Sequence, residues 1–398
     1  MPYITETIQT QAVKALQELV AQPSFNQAPS SGAPFGKGIR MALDQILAIC
    51  NQLGMRTYED PEGYYGYAEI GSGEEIFGVI GHLDTVPASD PKAWDTDPFD
   101  PVIKDGIIFG RGTQDDKGPT IAALFALKAL LDAGMVPTKR IRFIFGTDEE
   151  ILWRGIAKYN EKEAPIDMGF SPDSEFPLTY AEKGLQQAYL IGPGTDLFAL
   201  HMDNAMNAPQ GVNAVLRLCI ALDDVFDFAP LDLIGKCFLE DATGQNLLGK
   251  VADESGQLTF NISSFEVSPK ETRLQIDLRI PVTIDREQLV AQLSKRVQKY
   301  GLTYKHFDYL APLYVPKESK LVQTLMKVYQ DATGDLKAEP QISGGATFAR
   351  TMHNCVAFGG MLPGVPDYMH QANEQWPLDS MAKTMEIYAV ALKQLCFE

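Results

Sequence analysis

Apolar and polar residues recur at helical spacing over 6–20 and again over 38–53, so the chain opens with two amphipathic helices. Two short β-like segments follow, 64–70 and 76–80, with Gly71-Ser72-Gly73-Glu74-Glu75 as the turn between them. The Pro- and Asp-rich stretch 87–101 has no period and reads as loop. Residues 118–133 are an apolar-rich helix, stopped by Asp132-Ala133-Gly134, and 140–146 (RIRFIFG) is a strand. This alternation predicts an α/β sheet covered by helices. Near Gln187 the pattern changes. A β segment at 187–191, helices at 211–225 and 230–239, strands at 258–267 and 272–281, and a helix at 286–299 predict a small α+β unit of ferredoxin-like type. After Tyr309 the α/β pattern returns, with a helix at 320–332, a strand at 356–359 and a last helix at 378–396. The expected organisation is one α/β domain built from 1–186 plus 307–398, interrupted by an inserted domain over 187–306.

Composition narrows the function. The 398 residues are 45% hydrophobic and 22% charged, ordinary values for a globular chain with a large core. Lys and Arg total 34 against 52 Asp and Glu, a net charge of −18, which repels polyanions. Nucleic acid and anionic membrane surfaces are therefore not expected partners. No apolar run approaches the ~20 residues that span a bilayer. The opening segment is amphipathic and acidic rather than basic and then apolar, so no signal peptide is expected. The five cysteines have no C-x-x-C spacing and suit free thiols in a reducing cytoplasm.

Candidate chemistry gathers at five places. His82-Leu83-Asp84 follows the apolar strand at 76–80, and residues i and i+2 of an extended chain share a side, so one could be a ligand and the other its acceptor. Alone, it is weak evidence against the plainer reading of a polar loop capping the sheet. Asp115-Asp116 precedes the helix at 118–133, where acidic residues also serve as helix caps. Asp148-Glu149-Glu150 ends the strand at 140–146, where open α/β sheets place their ligands and where solvated acidic turns also occur. Asp173 lies in a proline-framed loop, Ser171-Pro172-Asp173-Ser174-Glu175-Phe176-Pro177, which by itself is an ordinary turn. His370 lies in Met369-His370-Gln371-Ala372-Asn373-Glu374. Together these segments supply two histidines and at least three carboxylates. That mixture suits a pair of divalent ions sharing a carboxylate, with one further carboxylate left as a general base.

The chain resembles the co-catalytic dinuclear zinc metallopeptidases, the family of peptidase V-type dipeptidases, carnosinases, aminoacylases, acetylornithine deacetylase and carboxypeptidase G. The motifs stand in family order: GHLDTVP at 81–87, GRGTQDDKGP at 110–119, GTDEE at 146–150, SPDSEFP at 171–177 and HQANE at 370–374. The likeness is greatest to the peptidase V-type dipeptidases, through SPDSEFP, ISGGATFAR at 342–350 and the segment 226–247 of the insert. The resemblance implies a catalytic domain with a mixed sheet and an inserted lid domain. It implies two divalent ions, zinc first, with manganese or cobalt as alternatives. His82 and Asp173 would hold one ion, Glu150 and His370 the other, and Asp115 would bridge them. Asp84 would orient His82, and Glu149 would act as general base on a metal-bridged water. A cis peptide is implied between Asp115 and Asp116. Asp rather than Glu at 173 favours a peptidase over a deacylase. Arg279 would take the substrate's C-terminal carboxylate, with Gly344 and Gly345 beside it.

The implied activity is metal-dependent hydrolysis of dipeptides or very short peptides by a cytoplasmic monomer or a homodimer formed through the lid. The alternatives are an N-acyl amino acid amidohydrolase and a catalytically impaired relative that binds metal. The second arises because the stretch matching the family's lid histidine, 203–214, contains none; Asp203 or Asn204 falls at its place. The part of the lid that peptidase V carries before this stretch is also missing between Lys183 and Asp203. His201, His306 and His353 are expected to be structural.

Overall fold

The computed structural model describes residues 3–88, 90–203, 214–223, 225–238 and 242–398. The chain divides into two compact units, Met1–Tyr180 with Val315–Gln341 and Ala346–Glu398, and Ala181–Tyr314 with Ile342–Gly345.

The first unit is built on a mixed sheet. Its strands run in the order Arg56–Glu59, Gly66–Ile70, Arg140–Gly146, Ile76–His82, Met168–Ser171 and Cys355–Ala357, followed by the strand that begins at Thr179. The central three strands are parallel, with His82 opposite Gly146 and Val79 opposite Phe170. Cys355–Ala357 continues the parallel run, while the strands at both flanks pair antiparallel. Every residue of Ile76–His82 is buried, as expected for a strand covered on both faces. The helix Lys117–Asp132 is buried on nearly all sides, which explains why its sequence lacks a polar face. It ends at Gly134, whose positive φ of 78° lets the amides of Gly134 and Met135 bond back to Leu131 and Leu130. Helix Glu6–Val20 starts at Thr5, whose hydroxyl accepts the Ile8 amide.

The second unit contains a five-stranded antiparallel sheet in the order Leu200–Asp203, Thr259–Val267, Glu271–Ile280, Gly184–Pro193 and Thr303–Leu310. Without the short first strand this is the β-α-β-β-α-β order of a ferredoxin-like unit. Leu190, Phe260, Ile262, Leu274 and Ile276 of the sheet pack with Val215, Ile234 and Leu293 of the helices Ala214–Asp223, Ala229–Cys237 and Arg286–Val297. The sequence pattern places this insert at 187–306, whereas the compact unit runs from 181 to 314. The reason is strand pairing: Gly184–Pro193 and Thr303–Leu310 are sheet neighbours, with Leu185 opposite Leu310, so both ends are drawn in. The polar strand Thr303–Leu310 carries no clear alternation and is not expected from the pattern. Among the described residues, no helix is long and apolar enough to cross a membrane.

Candidate metal centre

Three ligand-bearing segments leave the carboxyl ends of adjacent parallel strands. His82 is the last residue of its strand, Glu149 and Glu150 follow Gly146, and Asp173 follows Ser171. The Ser171 hydroxyl donates to the Ile80 carbonyl at 2.8 Å, and the Leu83 amide to Gly146 at 3.0 Å, so the three ends are laced together. The other two segments are loops. Asp115 precedes helix Lys117–Asp132, following a strand, Ile107–Phe109, of a separate three-stranded sheet rather than of the main one. His370 lies in the loop before Gln375–Pro377.

The first unit brings six of the expected residues together. Ligand atoms of His82, Glu149 and Asp173 lie within 4.8 Å of one another, and so do those of Asp115, Glu150 and His370. The Asp115 carboxylate spans the two groups. One oxygen is 2.9 Å from His82 Nε2, and the other is 2.8 Å from His370 Nε2. His82 Nε2 is also 3.7 Å from Asp173, and His370 Nε2 is 3.0 Å from Glu150. Glu149, expected beside the ions but uncoordinated, has a carboxylate oxygen within this same 4.8 Å grouping as His82 and Asp173. The Asp115–Asp116 peptide is cis.

Asp84 meets His82 through its backbone. The His82 Nδ1–H group faces the Asp84 backbone carbonyl at 2.9 Å, while the Asp84 carboxylate is 3.6 Å from the same nitrogen. That carboxylate instead accepts the amides of Glu149 and Glu150 at 3.1 and 3.0 Å, fixing the acidic turn. Asp116 is buried without capping its helix. Its Oδ2 accepts the His82 amide at 3.1 Å and the Thr120 hydroxyl at 2.9 Å. A Cβ on Gly81 would stand 2.0 Å from Thr120 Oγ1 and 2.7 Å from Asp116 Oδ2, so only glycine fits beneath this bond.

The electrostatics are those of a site made for cations. Burial, reinforced by neighbouring carboxylates against the pull of His82, pushes the Glu149 and Asp173 carboxyls well up. Burial and Asp115 likewise raise Glu150. Burial opposes charge on Asp115 too, but hydrogen bonds from His370 and His82 outweigh it and hold that carboxyl low. Among the described residues, none of these four carboxylates pairs with Lys or Arg. Crowded, partly desolvated carboxylates with two imidazole nitrogens are a mixed oxygen and nitrogen donor set that fits divalent ions.

The pattern alone did not single out Glu374, fully buried and four residues beyond His370. Its carboxylate accepts Arg111 Nη1 at 2.7 Å and the amides of Gly112, Gln114 and Asp115 at 3.0, 2.8 and 3.2 Å. The local signal is its place at the end of HQANE, but its partners are far away in sequence.

The expected lid residues belong to the second unit. Arg279 is nearly buried, donates from Nε to Asp277 at 3.0 Å, and from Nη1 to the Gly344 carbonyl at 2.7 Å. The Gly345 amide donates to the Ser343 hydroxyl at 2.9 Å. Asn204 lies outside the described residues. His201 sits on Leu200–Asp203 opposite Glu266, and His306 Nδ1 is 3.1 Å from the Gln186 amide nitrogen.

A model of "Peptidase family M20/M25/M40" matches residues 78–394. The Bacillus subtilis (strain 168) protein named "Putative dipeptidase YtjP" is 31% identical, and the match covers 92% of each chain. "Putative dipeptidase SH1171" of Staphylococcus haemolyticus is 32% identical, with 93% of each chain covered. Among solved structures, the M20 family metallo-carboxypeptidase Sso-CP2 of Sulfolobus solfataricus shares the fold with a TM-score of 0.66 and 20% identity, over 96% of this chain and 98% of that one. The family match spans most of the mixed sheet, the inserted unit and both groups of metal-ligand side chains, so the chain belongs to peptidase family M20/M25/M40 and is a metal-dependent hydrolase of peptide bonds.

Proposed function

We propose that the chain hydrolyses dipeptides or very short peptides in the cytoplasm, with Glu149 as general base and His82, Asp115, Glu150, Asp173 and His370 holding two divalent ions, zinc in the first place. The observation that carries the metal assignment is the Asp115 carboxylate, which reaches His82 with one oxygen and His370 with the other. The dipeptide reading is supported by the names of the 31–32% identical relatives and by Asp at position 173. The five free, buried cysteines suit a reducing compartment.

Two such ions, when bound, supply Lewis acidity for the scissile carbonyl and bring the pKa of a shared water towards neutrality. The chain's own groups do the rest. Glu149 takes a proton from the attacking water and hands it to the leaving amine. Its backbone is held by the Asp84 carboxylate on the amide side and by Trp153, whose indole N–H donates to the Glu149 carbonyl at 2.6 Å. Asp84 thus positions the base through the backbone and orients His82 through its own carbonyl. Arg279 receives the peptide's terminal carboxylate, its guanidinium steered by Asp277 and the Gly344 carbonyl. A donor for the developing oxyanion is worth ~2.7–4 kcal/mol, and Asn204 is the candidate for it on the inserted unit.

The test is a dipeptide-library hydrolysis screen on protein loaded with zinc, manganese or cobalt, run beside N-acetyl amino acids. The expected result is faster turnover of dipeptides. Preferential release of acetate would overturn the dipeptidase reading in favour of a deacylase.

A further inference from the structure

We infer that Glu374 is a positioning residue for the second ion: it ties the Asp115 loop to the His370 loop, so that the site formed by Asp115, Glu150 and His370 exists only while this clamp is made. The inference rests on the metal assignment proposed above.

The geometry is specific. Each oxygen of the buried Glu374 carboxylate takes two donors, Arg111 and the Gly112 amide on one, the Gln114 and Asp115 amides on the other. The Glu374 carbonyl accepts the Gly110 amide at 2.9 Å, extending the clamp along 110–115. Gly112 has φ of 93°, and a Cβ there would meet the Lys117 and Thr85 side chains at 3.0 and 3.2 Å, so the loop can wrap the carboxylate only with glycine at this point. Gln114 completes the clamp from the other side. Its Oε1 accepts the Tyr368 amide at 2.8 Å, and its Nε2 donates to the carbonyls of Pro366 and Gln375 at 3.0 and 2.8 Å. His370 and Asn373 both have left-handed backbones, with φ of 62° and 61°, which non-glycine residues keep only when their surroundings impose it. Asn373 is in turn pinned to the Asp95 amide and the Ala93 carbonyl.

The other ion would not depend on this clamp. His82 and Asp173 ride on the strand ends Ile76–His82 and Met168–Ser171, which the parallel ladder holds in place. Asp116, anchored to the His82 amide, keeps the Asp115 backbone beside that site. The two candidate sites therefore have separate supports, one from the sheet and one from a carboxylate clamp. In Glu374→Gln the side chain keeps its shape but turns one acceptor into a donor facing N–H groups, which breaks half of the clamp.

The test is metal binding on the full chain by titration and elemental analysis, for the parent and for Glu374→Gln, Gln114→Ala, His370→Ala and His82→Ala. The expected result is two ions per parent chain. In Glu374→Gln the weaker-held ion should lose about 10–100-fold in affinity, the range for groups that orient ligands, while the other ion stays within about threefold. Adding Glu374→Gln to His370→Ala should cost that ion little more, whereas adding it to His82→Ala should cost its full effect. If Glu374→Gln does not fold, Gln114→Ala breaks the same clamp without disturbing a buried charge and should show the same selective loss. Equal weakening of both ions, or retention of both, overturns the inference while the metal assignment stands. A parent chain that binds fewer than two ions overturns the metal assignment and this inference with it.

Discussion

The two candidate ion sites are built from the same donor types and differ in what holds them. His82 is 1% exposed and ends a fully buried strand, whereas the His370 side chain is 55% exposed and sits on a loop with a left-handed backbone. The first site inherits its geometry from three parallel strands, where each ladder bond restrains the next. The second has Glu150 from a strand end and its other two residues from loops, held by side-chain bonds between segments some 260 residues apart. A sheet gives ligand geometry as a by-product of folding. Loops need a dedicated buried polar group, and such a group is costly unless every donor and acceptor is matched.

The largest expected effect separates base from ligand in the first site. Glu149→Gln should lower kcat by about 10²–10⁴, the usual contribution of general acid-base catalysis, while both ions remain bound. Loss of one ion would make Glu149 a further ligand alongside His82, Asp173 and the bridging Asp115, as its proximity to His82 and Asp173 allows.

Next comes the asymmetry of supports. Asp84→Ala removes the acceptor for the Glu149 and Glu150 amides and leaves the backbone carbonyl that faces His82. We expect kcat to fall by about 10–100-fold, the range for residues that orient metal ligands, more than ion affinity at the His82 site falls. Kinetics and metal titration on one preparation decide this. A larger fall in affinity at that site would mean the carboxylate does orient the imidazole.

Arg279→Ala sharpens the contrast between the centre and the inserted unit. It should raise KM for dipeptides by about 10-fold or more, since a charge-assisted hydrogen bond is worth ~1.5–3 kcal/mol, and leave metal content unchanged. A peptide with an amidated C-terminus should be indifferent to the substitution. If the amide is slowed equally, Arg279 serves the lid fold through Asp277 and not the substrate.

The smallest effect concerns the packing under the first site. Gly81→Ala forces a Cβ against Thr120 and Asp116, and overpacking of this kind costs about 1–3 kcal/mol, read as a lower urea midpoint. The same substitution at Gly134, which has open space around it but a φ of 78°, tests backbone strain alone and should cost about 1–2 kcal/mol.

By itself the sequence determined what is local in the chain. The helical period of 6–20 and 38–53, the apolar strands at 76–80 and 140–146 and the stop at Gly134 are visible because period, cap and breaker act over a few residues. Ligand chemistry is visible for the same reason: histidine and clustered carboxylates at strand ends announce a cation site before any geometry is known. Tertiary structure alone decided which atom serves which partner. Asp84 turns its carboxylate to the amides of residues 149 and 150, 65 and 66 positions away, and its carbonyl to His82. Arg279 is committed to Asp277 and to a carbonyl 65 positions on. Glu374 reads as one more acidic loop residue until the fold surrounds it with four donors from residues 111–115. A side chain's period and charge belong to its own segment, whereas its hydrogen-bond partners are set by segments that only the folded core brings within 3 Å.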